Sequence, residues 1–424
     1  MKVEPTATNL GPRPSRDARR GLLLEAAASE FNARGVSRAS ISRIAAAKGL
    51  TRAAVYYYVR DRDDLVFQAY RRSCELTAID LETADQAGAG AMATIEAFVR
   101  LSLDPGRAVS AVLGDLDYLH GAEREIIAQA HEANVQRLRG IIRLGSATGE
   151  FRACDDEIIA QALIGMLAWI PLSAEWVEGA DADYRARAVD SLIDLLTHGE
   201  AADPSWNFEP PIAISAFFPP PPDPFDRAQV AEAKLERLLM TASAAFNRRG
   251  IDGASLDEVA RSLGATKGAF YHYLDNKTQL VVRCQERANR LYDEFAEAAD
   301  RLGRTSLEKA IIGLHLLVQS HASGLSPLIQ LVGHAAFPPT ARRAMRRRNR
   351  AVQQRYQGFA ELSREDGAMR EMDFNAVSQL SAGAFEWLPK WFDPADPRAP
   401  HDLARELVEL FVHGLKHRPS EDTT

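Results

Sequence analysis

Cysteine is scarce. Cys74, Cys154 and Cys284 are the only three in 424 residues, and no two form a CxxC pair. That excludes a disulfide framework and a structural zinc site, and it suits a reducing, cytoplasmic compartment. Long apolar runs are missing: Arg, Glu or Gly interrupts every stretch before the ~18 residues a bilayer crossing needs. The first twenty residues, MKVEPTATNLGPRPSRDARR, have no apolar centre of the kind a secretory leader carries. Neither membrane insertion nor secretion is therefore expected. An alternating Val/Ile/Thr pattern is also lacking, so strands are not expected and the fold reads as all-α. Nor is there an excess of positive charge. With 51 Lys and Arg against 58 Asp and Glu the net charge is −7, so any surface for nucleic acid must be local. No P-loop and no nucleophile–base motif occurs, and His315, His321 and His334 have no metal-ligand spacing with carboxylates. An enzyme is not expected, and neither is a metal or another cofactor.

What is there is a chain written twice. Residues 31–65, FNARGVSRASISRIAAAKGLTRAAVYYYVRDRDDL, align without a gap on residues 246–280, FNRRGIDGASLDEVARSLGATKGAFYHYLDNKTQL. Thirteen of the 35 positions are identical. Further on, Gly149, Arg152, Asp155, Gln161, Gly165, Trp169 and Pro171 recur as Gly367, Arg370, Asp373, Gln379, Gly383, Trp387 and Pro389. His198-Gly199 recurs as His413-Gly414. The repeat is domain-sized, far longer than the 20–50 residues of a solenoid unit. Between the copies lies a Pro-rich stretch with four consecutive prolines at 219–222, which cannot be helix or central strand. Its aromatics, Trp206, Phe208, Phe217, Phe218 and Phe225, predict that it lies against folded domains.

Each copy opens with the same helical grammar. Leu23, Ala27 and Phe31, like Leu238, Ala242 and Phe246, form an apolar stripe at i, i+4, i+8. Gly35 and Gly250 end that helix; Ser40 and Ser255 cap a short second one. Gly49 and Gly264 turn the chain, Thr51 and Thr266 open a third helix, and Asp61-Arg62 and Asn276-Lys277 open a longer fourth. Two short helices across a Gly turn, with a small Ala45 or Ala260 at the crossing, make a helix-turn-helix. The division that follows is an N-terminal arm 1–14, a first head 15–65, a first helical body 66–200, the linker 201–226, a second head 227–280, a second body 281–417 and a tail 418–424.

The segments 49–65 and 264–280 resemble the signature of the TetR family of transcriptional regulators. The shared run is Gly, an apolar residue, Thr, a basic residue, small residues, an apolar residue and then aromatics, with a Leu closing the motif. Tyr58 and Tyr273 depart from it where the family usually has His, and Val59 and Leu274 where it usually has Phe. The resemblance implies a three-helix DNA-binding head, a connecting fourth helix and a helical body that binds ligand and pairs across a four-helix interface on a palindromic operator. The physics of groove reading agrees. Ala53-Ala54 and Gly268-Ala269 let a backbone approach base edges, and Arg52 or Lys267 is a long donor to a base. Tyr56, Tyr57 and Tyr58, with Tyr271, His272 and Tyr273, suit the phosphate edge, and Ser42, Thr51 and Thr266 are further phosphate donors. Arg62 and Lys277, at the start of the fourth helix, are expected to face phosphate. Charge separates the heads. Residues 11–65 hold eleven Arg and Lys against six acids, whereas residues 226–280 hold eight against seven. Asp257-Glu258 stands where the first copy has Ser42-Arg43.

The sequence thus predicts a ligand-responsive DNA-binding regulator, a repressor by type, reading an imperfect palindrome in double-stranded DNA with two unlike heads. One chain is expected to fold as a pseudo-dimer, the alternative being a homodimer with four heads. The other functional reading is a helical sensor or interaction protein whose second head has weak or no DNA binding. For the effector, the run Arg342, Arg343, Arg346, Arg347, Arg348, Arg350 offers an anion site, with Arg342, Arg346, Arg350 and Trp387 as candidate contacts for an acyl-CoA or another apolar anion. A solvated helix face is the plainer reading of that run.

Overall fold

The computed structural model describes residues 15–173, 182–264, 276–329, 338–393 and 396–417. Among them the chain is helical, its β-structure limited to two isolated bridges. In the first copy α1 (Arg16–Arg34) starts where the Ser15 hydroxyl accepts from the Ala18 amide at 3.1 Å. It ends at Gly35, whose φ of 75° suits glycine. Ser40 caps α2 (Ile41–Ala47), Thr51 caps α3 (Arg52–Val55) and Asp61 caps α4 (Arg62–Ala87), each accepting a first-turn amide. The body adds α5 (Ala91–Ser102), α6 (Gly121–Thr148), α7 (Asp156–Ser173) and α8 (Ala182–His198). The second copy follows the same order. Its helices are α9 (Arg227–Gly253, kinked at Gly250), α10 (Leu256–Ser262), α11 (Lys277–Leu302), α12 (Ser306–Ala322), α13 (Pro339–Asp366), α14 (Phe374–Glu386), α15 (Leu388–Trp391) and α16 (Pro400–His413).

Each head has its own small core. Leu23, Ala27, Phe31, Ile44, Val55 and Leu65 close the first, and Leu238, Ala242, Phe246, Val259 and Leu280 the second. The bodies share one. Leu163, Met166 and Ile170 of α7 pack into the same cluster as Leu380 and Ala384 of α14 and Leu403, Leu407 and Phe411 of α16. Two glycines make that approach possible: a Cβ on Gly165 would lie 2.5 Å from the Gly383 carbonyl oxygen, and one on Gly383 would lie 2.7 Å from the Gly165 oxygen.

The contacts between copies come in reciprocal pairs, as a pseudo-two-fold axis requires. Trp169 Nε1 donates to Gln379 Oε1 at 3.4 Å, and Trp387 Nε1 to Gln161 Oε1 at 3.3 Å. Arg152 Nε donates to the Gly414 carbonyl at 2.9 Å, and Arg370 Nε to the Gly199 carbonyl at 3.0 Å. The bridges pair Phe151 with Lys416 and Ala201 with Met369. The tryptophans, glutamines, arginines and glycines of these hydrogen bonds are among the residues the internal repeat singles out. Their recurrence reflects what each copy must present to the other. The linker lies on this assembly: Trp206 and Phe208 pack on the shared core, and Phe217 meets Phe295 of α11 edge-on at 4.8 Å. Phe225 at its end is exposed.

One position breaks the symmetry. Glu200 is buried at the seam, where the second copy has the fully buried Leu415. Burial pushes the Glu200 carboxyl up to about 8, against the pull of Arg370. The group is therefore protonated in the fold at neutral pH. Since its folded pKa lies above the ordinary carboxylate value, stability is lost as pH rises from about 4.5 towards 8. Glu200→Leu should raise the midpoint of denaturant unfolding, and the gain should be larger at pH 8 than at pH 5. Equal gains at the two pH values would mean that Glu200 does not titrate this way.

Candidate DNA-binding head and ligand cavities

The first head presents a continuous polar and aromatic face. Ser42, Arg43, Thr51, Arg52, Ala53, Tyr56 and Tyr57 are exposed, while Val55 beneath them is fully buried. Tyr57 is 66% exposed, which solvent alone does not reward in so large a ring. It is held by Tyr58, whose ring stands edge-on at 5.4 Å, and by the Arg16 guanidinium 4.9 Å above its face. Tyr58 is half-buried on the head core, the one tyrosine of the three with a packing role. Arg43 is exposed yet engaged, its Nε donating to Glu30 Oε1 at 2.8 Å. Nothing in the sequence marked Arg16 as a support for Tyr57, because its partner lies 41 residues along the chain.

Arg62, expected at phosphate, is engaged inside the head of the DNA-free chain. Its guanidinium donates to the carbonyls of Ala39 and Val36, so it braces α4 against the α1–α2 turn. Lys277 Nζ does the same in the second copy, donating to the Ala254 carbonyl at 2.8 Å. These carbonyls would otherwise be left over where the chain turns between helices, and a cation satisfies them. Thr266, Lys267, Gly268, Tyr271, His272 and Tyr273 lie outside the described residues. In the described part of the second head, Glu258 on α10 accepts from Arg249 of α9.

Each body carries a cavity that is partly open to solvent. The first, about 180 Å³, lies among Leu81, Phe98, Leu138 and Leu167 and the 102–113 segment. The second, about 240 Å³, lies among Tyr292, Phe295, Phe359 and Phe385. Both exceed the ~150 Å³ of an engineered apolar cavity that admits benzene. Their closing tryptophans are exchanged: Trp387 of the second copy lines the first cavity, and Trp169 of the first copy lines the second. Trp387 is therefore a candidate ligand contact, but for the other copy's cavity.

The arginine run lies elsewhere than expected. Arg342, Arg346 and Arg350 stand on the exposed face of α13 and line neither cavity. Four residues of a helix advance the direction by about 40°, so the run's members cannot all face one cavity. Arg348 and Arg355 are the ones on the second cavity's rim. Arg348 is held by Asp293 at 2.9 and 3.0 Å, and Arg355 by Asp300 and the Ala296 carbonyl. Among the described residues no group of three His, Cys, Asp or Glu is placed to hold a metal. His321 lies buried with its Nε2 3.2 Å from the Tyr292 hydroxyl, and burial lowers its pKa to about 3. His315 is lowered to about 4 by burial and by His401. Both rings are neutral at ordinary pH.

Head and cavity are joined by an asparagine that follows Phe31 and recurs after Phe246. Asn32 Nδ2 donates to the Ser110 carbonyl and its Oδ1 accepts from the Val112 amide, both at 2.9 Å. Asn247 makes the same pair of bonds to Pro327 and Ile329, at 2.8 and 3.0 Å. Ser110 and Val112 line the first cavity, so one side chain ties its wall to α1. A few residues on, Asp115 accepts from the Val36 amide at 3.2 Å, and the buried Lys390 of the second copy donates to the Gly114 carbonyl at 2.6 Å.

Comparison with known proteins agrees with this architecture. The model of the bacterial regulatory proteins of the tetR family matches residues 23–69 and 238–284. That of the tetracyclin repressor-like C-terminal domain matches residues 92–177 and 307–415. The HTH-type transcriptional regulator TtgR of Pseudomonas putida is 32% identical over 74 residues, which is 18% of this chain and 31% of that protein. The probable HTH-type transcriptional regulator ArpR, also of Pseudomonas putida, matches to the same extent. The chain thus spans about a third of the length of these curated relatives. Among solved structures, AibR in complex with isovaleryl coenzyme A and operator DNA is 22% identical, with a TM-score of 0.36, covering 42% of this chain and 97% of that one. PfmR, a TetR family regulator from Thermus thermophilus, is 20% identical with a TM-score of 0.33, covering 41% and 95%. Both family models match twice, at separate positions and in the same order, and the chain is a member of the TetR family of DNA-binding transcriptional regulators that carries two fused copies of the unit.

Proposed function

We propose that the chain is a single-chain repressor in which two unlike heads read an imperfect palindrome and a small molecule in a body cavity releases them. The observation that carries the reading is the reciprocal seam. Each copy supplies the other with a tryptophan, a glycine contact and an arginine–carbonyl bond, as two subunits of a homodimer would. The first head is the principal anchor, since it has the net positive charge and the exposed Arg52–Tyr57 face. Two tethered heads gain by effective concentration, a factor that reaches about 10²–10⁴, so an effector that misaligns them releases DNA without blocking either.

A gel shift with the DNA upstream of its gene, with and without candidate effectors, tests this directly. Arg52→Ala should cost about 1–3 kcal/mol on the specific site and relax base preference there. Arg62→Ala should instead lower the melting temperature, because its donors hold the head together. Light scattering should give a mass near 46.6 kDa. Unchanged binding with Arg52→Ala would reject the anchor, and a stable particle of twice that mass would reject the single-chain form.

A further inference from the structure

The helices α6 and α13 are matching elements, each 28 residues long and each ended by a glycine of the repeat, Gly149 or Gly367. Their first halves carry opposite charge. Residues 123–132 of α6 hold three acids and one arginine, whereas the matching residues 341–350 of α13 hold six arginines and no acid. The heads show the reverse order: the first has the excess of Arg and Lys, and the second is nearly balanced. The place of the arginines follows from both copies. In the first, Glu123 of α6 accepts from Arg60 at 2.8 Å, and Arg60 stands in the loop between α3 and α4. The start of the body helix thus reaches the loop that follows the groove-reading helix. In the second, Ala341 has the place of Glu123 and packs on the head core of Leu238, Phe246 and Leu280. Ala341 and Arg348, seven residues apart, share one side of α13, since seven residues make about two turns. That side is the inner one, with Arg348 bound to Asp293 of α11. Arg342, Arg343, Arg346 and Arg347 lie opposite, in a sector of about 140° and along about 8 Å of helix. All four are exposed, and among the described residues no carboxylate pairs with them. Like charges at i, i+4 weaken a helix, so the fold itself gains nothing from Arg342 with Arg346 or Arg343 with Arg347. A polyanion would.

We propose that this face of α13 is a DNA-binding surface outside both heads, which holds the phosphate backbone of the duplex where it leaves the half-site of the second head. Guanidinium groups bind phosphate oxygens, and each phosphate neutralised releases condensed counterions whatever the base sequence. The face therefore adds affinity without specificity. It gives the nearly neutral second head the anchoring that the first obtains from its own charge. The matching stretch of α6 is acidic, so the contact is one-sided. It rests on the reading of the chain as an operator-binding regulator.

Changing Arg342, Arg343, Arg346 and Arg347 of the whole chain together to Gln, and in a second variant to Lys, tests the proposal. Binding to a mixed-sequence duplex of about 40 base pairs is measured across a range of salt concentrations. The slope of log K against log[salt] should become shallower by about one unit for each arginine on a phosphate, hence by at least about two units in the Gln variant. The Lys variant keeps the charge and should keep the parent's slope. On the DNA upstream of the gene, hydroxyl-radical footprinting should show protection running farther past one half-site than past the other. The Gln variant should lose that extension and retain the half-sites. An unchanged slope in the Gln variant, an equal loss in the Lys variant or a footprint of equal reach on both sides would each overturn it. So would arginine-dependent binding to phosphatidylglycerol vesicles with no change in the DNA slope, which would give the face to a lipid surface. The mixed-sequence duplex needs no operator. If the upstream DNA has no preferred site, the repressor reading fails, and the slope still decides the role of this face.

Discussion

Gly165→Ala should destabilise the whole chain, by up to about 2 kcal/mol net, although alanine is the better helix former. In an open helix position the exchange gains about 1 kcal/mol. At Gly165 the added carbon would lie 2.5 Å from the Gly383 carbonyl oxygen and 2.6 Å from Trp387 Cβ. Neither is the free end of a flexible side chain, so relief requires α7 and α14 to move apart. Overpacking of this kind typically costs about 1–3 kcal/mol, and here it would also loosen the tryptophan that closes the first cavity. Gly140→Ala on α6 is the control, since its Cβ would meet nothing within 4 Å. Thermal unfolding should therefore shift in opposite directions for the two variants. If Gly165→Ala melts with Gly140→Ala, the copies do not pack through this glycine pair. Gly383→Ala should reproduce the Gly165 result, with its carbon 2.7 Å from the Gly165 oxygen.

The heads were the most legible part of the chain, and for a physical reason. Caps and turns are local, so Ser40, Thr51 and Asp61 announce their helices from sequence alone. The duplication was equally plain, and it pointed to the seam without describing it. Gly165, Trp169 and Arg152 stood out as repeated residues, but what each one touches lies more than 200 positions away. Long-range partners also decide what the cations hold within the fold. Arg62 looks like a phosphate contact because it opens a helix, yet it is spent on two carbonyls of the α1–α2 turn. The arginine run of α13 drew attention by its density. Which of its members reaches the cavity depends on helix phase against α11, where Asp293 selects Arg348. Asn32 carried no local signal at all. It becomes notable only once its recurrence as Asn247 is matched to the same pair of backbone bonds.

Those asparagines should prove to be the joints between head and body. Asn32 satisfies an acceptor and a donor of one segment at once, and that segment is both a wall of the first cavity and a neighbour of the first head. Asn32→Ala would leave the Ser110 carbonyl and the Val112 amide without these bonds, and each part-buried group left unsatisfied costs about 1–3 kcal/mol. The loss is local before it is global, because the head core of Leu23, Phe31 and Leu65 does not depend on Asn32. Hydrogen exchange should therefore show the Val112 amide losing protection by roughly 10-fold or more, a change of about 1.4 kcal/mol, while amides in the middle of α4 keep theirs. Asn32→Asp separates the two bonds: the carboxylate can still accept from Val112, but the donor to Ser110 is gone. It should retain most of the Val112 protection. Asn247→Ala should act on Ile329 in the same way and leave Val112 untouched. An Asn32→Ala chain whose Val112 exchanges as slowly as the parent's would show that the cavity wall reaches the head by another route, through Asp115 and the Val36 amide.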